Sequence, residues 1–306
     1  MEASFYFPLL FLVPRFESDL ASGRYGVTAR RWETSTFDLA TLATRHDLHL
    51  PYQVMDVMLA QCNVELAIHQ VVSHEEAVEY LDCFRVGAYL AGCSPFVAPF
   101  ITTNSINEYA GINERDSALE RGAEPKIPSS FSSATGRLSA WPLELAFSCI
   151  TKPNAVRFTE ERFTSAVRTA EAWHALSNGT EVARGLTSAF LSSPLLPTRG
   201  QSLLHMWTAI ESLFPTVSTE VSFRLGLYLT VLCAGPKERG EFYRKVKSAY
   251  SVRSKVAHGA LNDVSTGQWN EAWHLLCDCA RAIAARQAVP TEEELLHELF
   301  SGSADA

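Results

Sequence analysis

The feature that most constrains this chain is the punctuation of its second half. From about residue 157 onward, helix starts, apolar spacings and helix stops follow one another closely. Thr159 can cap a helix reaching about Ser177, with Glu160 and Glu161 in a first turn where the positive end of the helix dipole favours acids. A second helix is expected over residues 180–191. Pro197 opens a third, in which Leu203, Trp207, Ile210 and Phe214 recur at three- and four-residue spacing until Pro215 stops it. Residues 220–234 are apolar almost all round, the mark of a central buried helix, and Gly235-Pro236 breaks it. Pro236 starts a basic helix, dented at Gly240, that reaches His258 and ends at Gly259, a residue suited to a left-handed cap. Residues 266–287 make the next helix, and a short acidic one follows Pro290. Antiparallel helices joined this tightly form an up-and-down bundle.

The first half has a different texture. Strand-like runs occur at residues 5–13 and 96–103, and a helix is expected over 73–90, where Ser73 and Glu76 form a capping-box pattern. Residues 104–140, rich in Asn, Ser, Gly and Pro, read as loops, most clearly at 128–136. The expectation is therefore an α+β protein overall. A mixed α/β N-terminal domain (1–156) precedes an all-α helical bundle (157–288) and a short acidic helix or tail (289–306). The N-terminal half shows no catalytic motif; its architecture suggests that it senses a trigger or regulator, or positions substrate.

The 306 residues are 47 % hydrophobic, enough for a sizeable core. No apolar run approaches the roughly eighteen residues of a membrane-spanning helix, so no membrane association is expected. The apolar start is interrupted by Pro8 and follows Glu2 rather than lysines or arginines, so it reads as a buried strand and not a secretory leader. The seven cysteines are scattered, odd in number and free of any C-x-x-C. That favours free thiols in a reducing, cytoplasmic setting.

Charge is distributed unevenly. The chain carries −8 in total, yet residues 224–258 hold eight basic side chains against Glu238 and Glu241. A basic stripe on an acidic protein still attracts a polyanion, because salt screens charges beyond about 8–10 Å. The plainer reading is a solvated helix face.

Within this stripe lies Arg253-Ser254-Lys255-Val256-Ala257-His258, followed by Gly259. Arginine offers a permanent charge with a planar donor fork for phosphate oxygens, and histidine exchanges protons near neutral pH. RNA carries its own nucleophile, the 2′-hydroxyl. A protein need only move protons and stabilise the crowded phosphate, which gives a 2′,3′-cyclic phosphate and a 5′-hydroxyl. His258 is the candidate for proton transfer, worth roughly 10²–10⁴ in rate. Arg253 is the candidate for holding phosphoryl oxygens without a metal. The two lie five residues apart, about 140° around an ideal helix. One subunit therefore arranges them poorly, whereas two copies could bring Arg253 of one beside His258 of the other. At a helix C-terminus His258 feels the negative dipole end, which favours the protonated form and suits an acid. The alternative is that His258 only caps the last carbonyls while Arg253 pairs with an acid.

The order Trp207-x-x-x-Glu211-x-x-Phe214, then Val221-Ser-Phe-Arg224-Leu, then Tyr250-Ser-Val-Arg253-Ser-Lys-Val-Ala-His258-Gly259 resembles the ApeA-like branch of the HEPN superfamily. The resemblance covers roughly residues 157–288. It implies a HEPN-type bundle that pairs with a copy of itself. Many members are metal-independent endoribonucleases of antiviral defence, abortive infection or toxin systems, with arginine and histidine from both subunits lining one cleft; some have lost activity. Arg253 and His258 are then the catalytic pair and RNA the substrate, with no metal and no other cofactor. Ser254 stands where catalytic members often carry Asn, Asp or His. Ser254, Glu211 and Arg224 are assigned supporting roles. Lys255, Lys247, Lys245 and Tyr250 are assigned to substrate, although core packing with a wet hydroxyl is the plainer reading of Tyr250. Arg224 lies in the apolar stripe of its helix and needs a carboxylate. Either it pairs with Glu211, or Glu211 orients Arg253.

Two rival functions stand beside this one. The first is a non-catalytic dimerising interaction or sensor module. The second is a metal-binding bundle, because Glu171/His174, Glu271/His274 and Glu294/His297 each form E-x-x-H; Trp173 and Trp273 beside them could simply anchor helices. His46-x-x-His49, with no cysteine pair nearby, is a poor zinc site. The acidic C-terminal tail either masks the basic stripe or is a solvated end.

Overall fold

A computed structural model describes residues 3–45, 60–97, 100–111, 139–140 and 157–301. The chain is α+β: an antiparallel sheet from its first part is followed by a mostly helical part. It divides into two compact units. Among the described residues, the first unit holds 3–45, 60–81, 91–97, 100–111, 139–140 and 157–168, and the second holds 82–90 and 169–301.

The first unit is built on a sheet of β1 (Ala3–Leu10), β3 (Leu20–Ser22), β4 (Val27–Arg31), β5 (Cys62–Val71) and β6 (Phe96–Val97) in the order β3-β4-β5-β1-β6. Alternation does the sorting. Phe5, Phe7 and Leu9 of β1 stand opposite Ile68, Leu66 and Val64 of β5, and all six are buried. Glu65 faces the other way and is also buried; it takes Arg30 at 2.8 Å, Ser105 Oγ at 2.7 Å and the Ile106 N–H at 3.2 Å. Pro8 sits inside β1 although β1 has neighbours on both sides. Tyr6 is bridged to Thr102, and β6 pairs only with Leu9 and Leu10, so proline's missing donor falls between those contacts.

The expected strand 5–13 is interrupted. Phe11 has φ 61°, and Val13–Pro14 forms a separate strand, β2, parallel to β9 (Arg157–Phe158). The run 96–103 likewise yields two short strands, β6 and β7 (Phe100–Ile101); β7 pairs with β8 (Ser139–Ala140). The segment expected to be loop contains a short 3₁₀ turn at Ile106–Tyr109. The expected loop stretch 128–136 and His46/His49 lie outside the described residues. Helix α1 (Thr36–Arg45) and strands β4 and β5 were not anticipated from sequence. Helix α2 (His74–Leu90) begins as expected: Ser73 Oγ accepts from the Glu76 N–H at 3.2 Å, although the Glu76 carboxylate reaches back to the Val72 N–H rather than that of Ser73.

Helix α3 (Glu160–Gly179) follows Thr159, whose hydroxyl accepts from the Arg162 N–H. In the second unit, α4 (Glu181–Ser192) is capped by Thr180. Helix α5 (Arg199–Glu211) is capped by Thr198, so Pro197 lies just outside it. Helix α6 (Val221–Cys233) carries the most apolar stretch, and α7 (Arg239–Ala257) is the basic helix. Residues 236–238 form a turn before α7 rather than its first residues. Helix α8 (Thr266–Arg286) starts with a full capping box between Ser265 and Gln268, and α9 (Glu292–Ser301) is the acidic helix. Tryptophans hold the interior. Trp173 donates to Thr187 Oγ1 at 2.8 Å, Trp269 donates to Ser202 Oγ at 2.7 Å, and Trp269 stacks on Trp273. Among the described residues no helix is long and apolar enough to cross a membrane.

Candidate active site

Helix α7 is placed by three neighbours. On α6, a Cβ at Gly226 would lie 2.9 Å from Tyr243 Cε2, so the missing side chain sets how closely the two helices pack. Against α5, the Tyr250 ring meets the Trp207 ring edge-on at 5.4 Å. Towards α8, Lys245 Nζ reaches Asp278 Oδ2 at 3.2 Å. Val246 and Ala249 are the buried residues of α7; much of its remaining surface is open.

Arg253 is held by Glu211 at the end of α5. Nη2 donates to Oε2 at 2.9 Å, and Nε lies 2.9 Å from Oε1 off the hydrogen-bonding direction. The two side chains are 25 % and 26 % exposed, so the pair sits at the solvent boundary. The Arg253 guanidinium also lies 5.7 Å from the centre of the Tyr250 ring. Burial pushes the Tyr250 hydroxyl above its ordinary pKa, with Arg253 opposing the shift and Glu211 adding to it. The Tyr250 ring is therefore engaged by Trp207 and Arg253.

The two alternatives for Glu211 are now distinguished. Glu211 takes Arg253, and the Glu211–Arg224 pair does not form. Arg224 instead donates to Glu292 Oε2 at 3.0 Å and to the Tyr228 hydroxyl at 3.3 Å. It is also less enclosed than its stripe position implies, with one-third of its side chain exposed. Its partner comes from α9, 68 residues away in sequence, which no local pattern reveals.

His258 is the C-cap of α7 and is exposed. Beyond it the chain makes a complete Schellman turn. Gly259, at φ 70°, donates to the Val256 carbonyl at 3.1 Å, and Ala260 donates to the Lys255 carbonyl at 2.8 Å. The expected left-handed cap is present at Gly259. The His258 backbone N–H, not its ring, closes onto the Ser254 carbonyl at 3.1 Å. Ser254 is half-buried and Lys255 exposed.

Helix geometry sorts the remaining cations. Positions 244, 247, 251, 255 and 258 fall within about 80° of arc, whereas 253 faces nearly the opposite way. Arg244, Ser251, Lys255 and His258 are exposed and Lys247 is half-buried. Lys245 is off this stripe, tied to Asp278 and set 5.3 Å from the Phe242 ring. Arg244 joins the stripe, although sequence reasoning counted it only as part of the local charge. Its position modulo 3.6 relative to Lys247, Lys255 and His258 was the available signal.

The E-x-x-H pairs do not converge. Among the described residues, no group of three or more His, Cys, Asp and Glu side chains is arranged to hold a metal ion. His174 is buried, Glu271 and His274 are exposed, and Glu294 accepts from the Thr291 N–H and hydroxyl at the start of α9. Among the described residues, the ion pairs of the acidic helix α9 go to α6 and α8. Glu292 grips Arg224 of α6, and Glu298 grips Arg286 of α8 through Nη1 and Nη2, the latter at 2.9 Å. No family model, no curated protein and no solved structure matches this chain.

Proposed function

We propose that the protein is a metal-independent endoribonuclease of the HEPN type, close to the ApeA-like branch, acting as a homodimer in a defence or toxin setting. The observation that carries this reading is Arg253, held by Glu211 at the solvent boundary of a basic helix that ends in an exposed His258. A guanidinium oriented by a carboxylate keeps donors for phosphate oxygens, and an exposed imidazole is a side chain able to exchange protons with a bound substrate. Arg244, Lys247 and Lys255 extend the positive surface on the side of His258. Within one chain Arg253 and His258 face about 140° apart. The reaction therefore draws them from two copies, one subunit's arginine stabilising the phosphate while the other's histidine protonates the leaving 5′-oxygen.

One observation favours a second reading, a non-catalytic dimerising module: the guanidinium already has a counter-charge. The same experiment separates the two. Total RNA is incubated with wild type, Arg253→Ala and His258→Ala in EDTA, and product ends are mapped. Cleavage to 2′,3′-cyclic phosphate and 5′-hydroxyl ends that both substitutions abolish supports the nuclease. Intact RNA with wild-type dimer in the presence of cell extract supports the module.

A further inference from the structure

We infer that Cys233 and Cys279 are a dithiol switch, a site of reversible disulfide formation by small-molecule disulfides. Cys233 is the last residue of α6 and Cys279 lies in the middle of α8; their sulfurs are 3.9 Å apart and both are free thiols. Contact at that distance needs only side-chain rotation and a small backbone adjustment to reach the bonding distance of about 2.05 Å. The adjustment is available at Cys233, because α6 ends there and the exposed Gly235 follows, with open space around its Cα. Cys277 is buried as well, but two residues from Cys279 it projects about 160° around α8.

The two cysteines differ in a way that sets the order of events. Cys279 is fully buried, and its hydrogen bond with the Cys233 sulfur, together with burial, pushes its thiol well above the ordinary range. Cys233 is partly exposed, at the end of α6, whereas Cys279 is enclosed. Cys233 is therefore the entry point. Its thiolate attacks one sulfur of a disulfide such as oxidised glutathione, the oxidant's S–S bond breaks, and one glutathione leaves as thiolate and takes up a proton. Cys279 then gives up its proton and attacks the Cys233 sulfur, expelling the second glutathione. Two protein thiols lose two electrons, and one small disulfide becomes two thiols. The bond closes a loop that contains all of α7, so the helix carrying Arg253 and His258 becomes covalently bracketed by α6 and α8. The chemistry itself does not depend on the nuclease reading.

The test uses the full chain, folded, with oxidised glutathione as the probe. After acid quench, the protein is unfolded, alkylated and mapped by mass spectrometry without reduction. The expected result is a peptide pair joined through Cys233 and Cys279, reversed by dithiothreitol, with a rise of several degrees in melting temperature. In Cys279→Ser, Cys233 should accumulate as the mixed glutathione disulfide, and in Cys233→Ser, Cys279 should remain alkylatable. Wild type that stops at the mixed disulfide, links Cys233 to Cys277, or leaves Cys233 unmodified overturns the inference.

Discussion

The Glu211–Arg253 ion pair has a packing role in the fold, and in the proposed nuclease it would also have a chemical one; substitutions separate the two. In Glu211→Gln the guanidinium keeps a neighbour but loses its charge partner. For a pair about one-quarter exposed, the stability cost should be about 1 kcal/mol. If Glu211 orients Arg253, RNA cleavage should fall far more steeply than stability, and Glu211→Asp should recover part of it. His258→Ala is the cleaner probe. The side chain is exposed and its backbone, not its ring, completes the cap, so the change in unfolding free energy should stay within about 0.5 kcal/mol. Cleavage should drop by roughly 10²–10⁴. Equal loss of folding and activity in that variant, measured by denaturant titration alongside cleavage rate, would remove its catalytic assignment. Arg253 and His258 stand out as candidates by residue type and spacing alone. The partner of Arg253 was readable only as one of two options, because Glu211 lies 42 residues away and the choice is made by packing.

At the scale of elements, the helices of the second unit were legible because their limits are set by local chemistry. Hydroxyl caps at Thr180 and Thr198, the capping box at Ser265 and Gln268, and the Schellman turn at Gly259 act through nearby backbone groups. Gly259 at φ 70° should be the sensitive one. Gly259→Ala forces an L-residue into the left-handed region and should cost about 1 kcal/mol, seen as a lower melting temperature. At Gly226 the penalty has a different origin: the new methyl meets the Tyr243 ring at 2.9 Å. Gly226→Ala should therefore destabilise despite alanine's better helix propensity, and the double variant with Tyr243→Ala should recover part of the loss. Strands were harder. Strand β5 has a long, nearly continuous buried run, so period two does not stand out in it, and the expected strand 5–13 is divided into β1 and β2 by a single left-handed residue, Phe11.

For the whole molecule, the acidic α9 acts as a clasp across α6 and α8, and this predicts how the protein responds to acid. The Arg286 guanidinium beside Glu298 holds that carboxyl below its ordinary value, and the Thr291 N–H and hydroxyl do the same for Glu294. A depressed folded pKa contributes stability above the ordinary carboxylate range and loses it as pH falls through the folded value. Unfolding free energy should therefore decline below about pH 4.3, and the decline should be shallower in Glu298→Gln, as followed by denaturant titration across pH. Nucleic-acid binding gives a second whole-molecule readout. If Arg244, Lys247 and Lys255 meet phosphates, each alanine substitution should lower the salt dependence of RNA binding by about one unit of slope, whereas Lys245→Ala, already tied to Asp278, should change it least. Local chemistry in the chain was sufficient to specify most helix limits of the second unit, its caps, the basic stretch and the spacing of Arg253 and His258, since these depend on neighbours within a few residues. Which carboxylate holds which arginine, where the acidic helix lies, and that two cysteines 46 positions apart come into contact depend on how helices pack. No pattern confined to one helix encodes a partner on another.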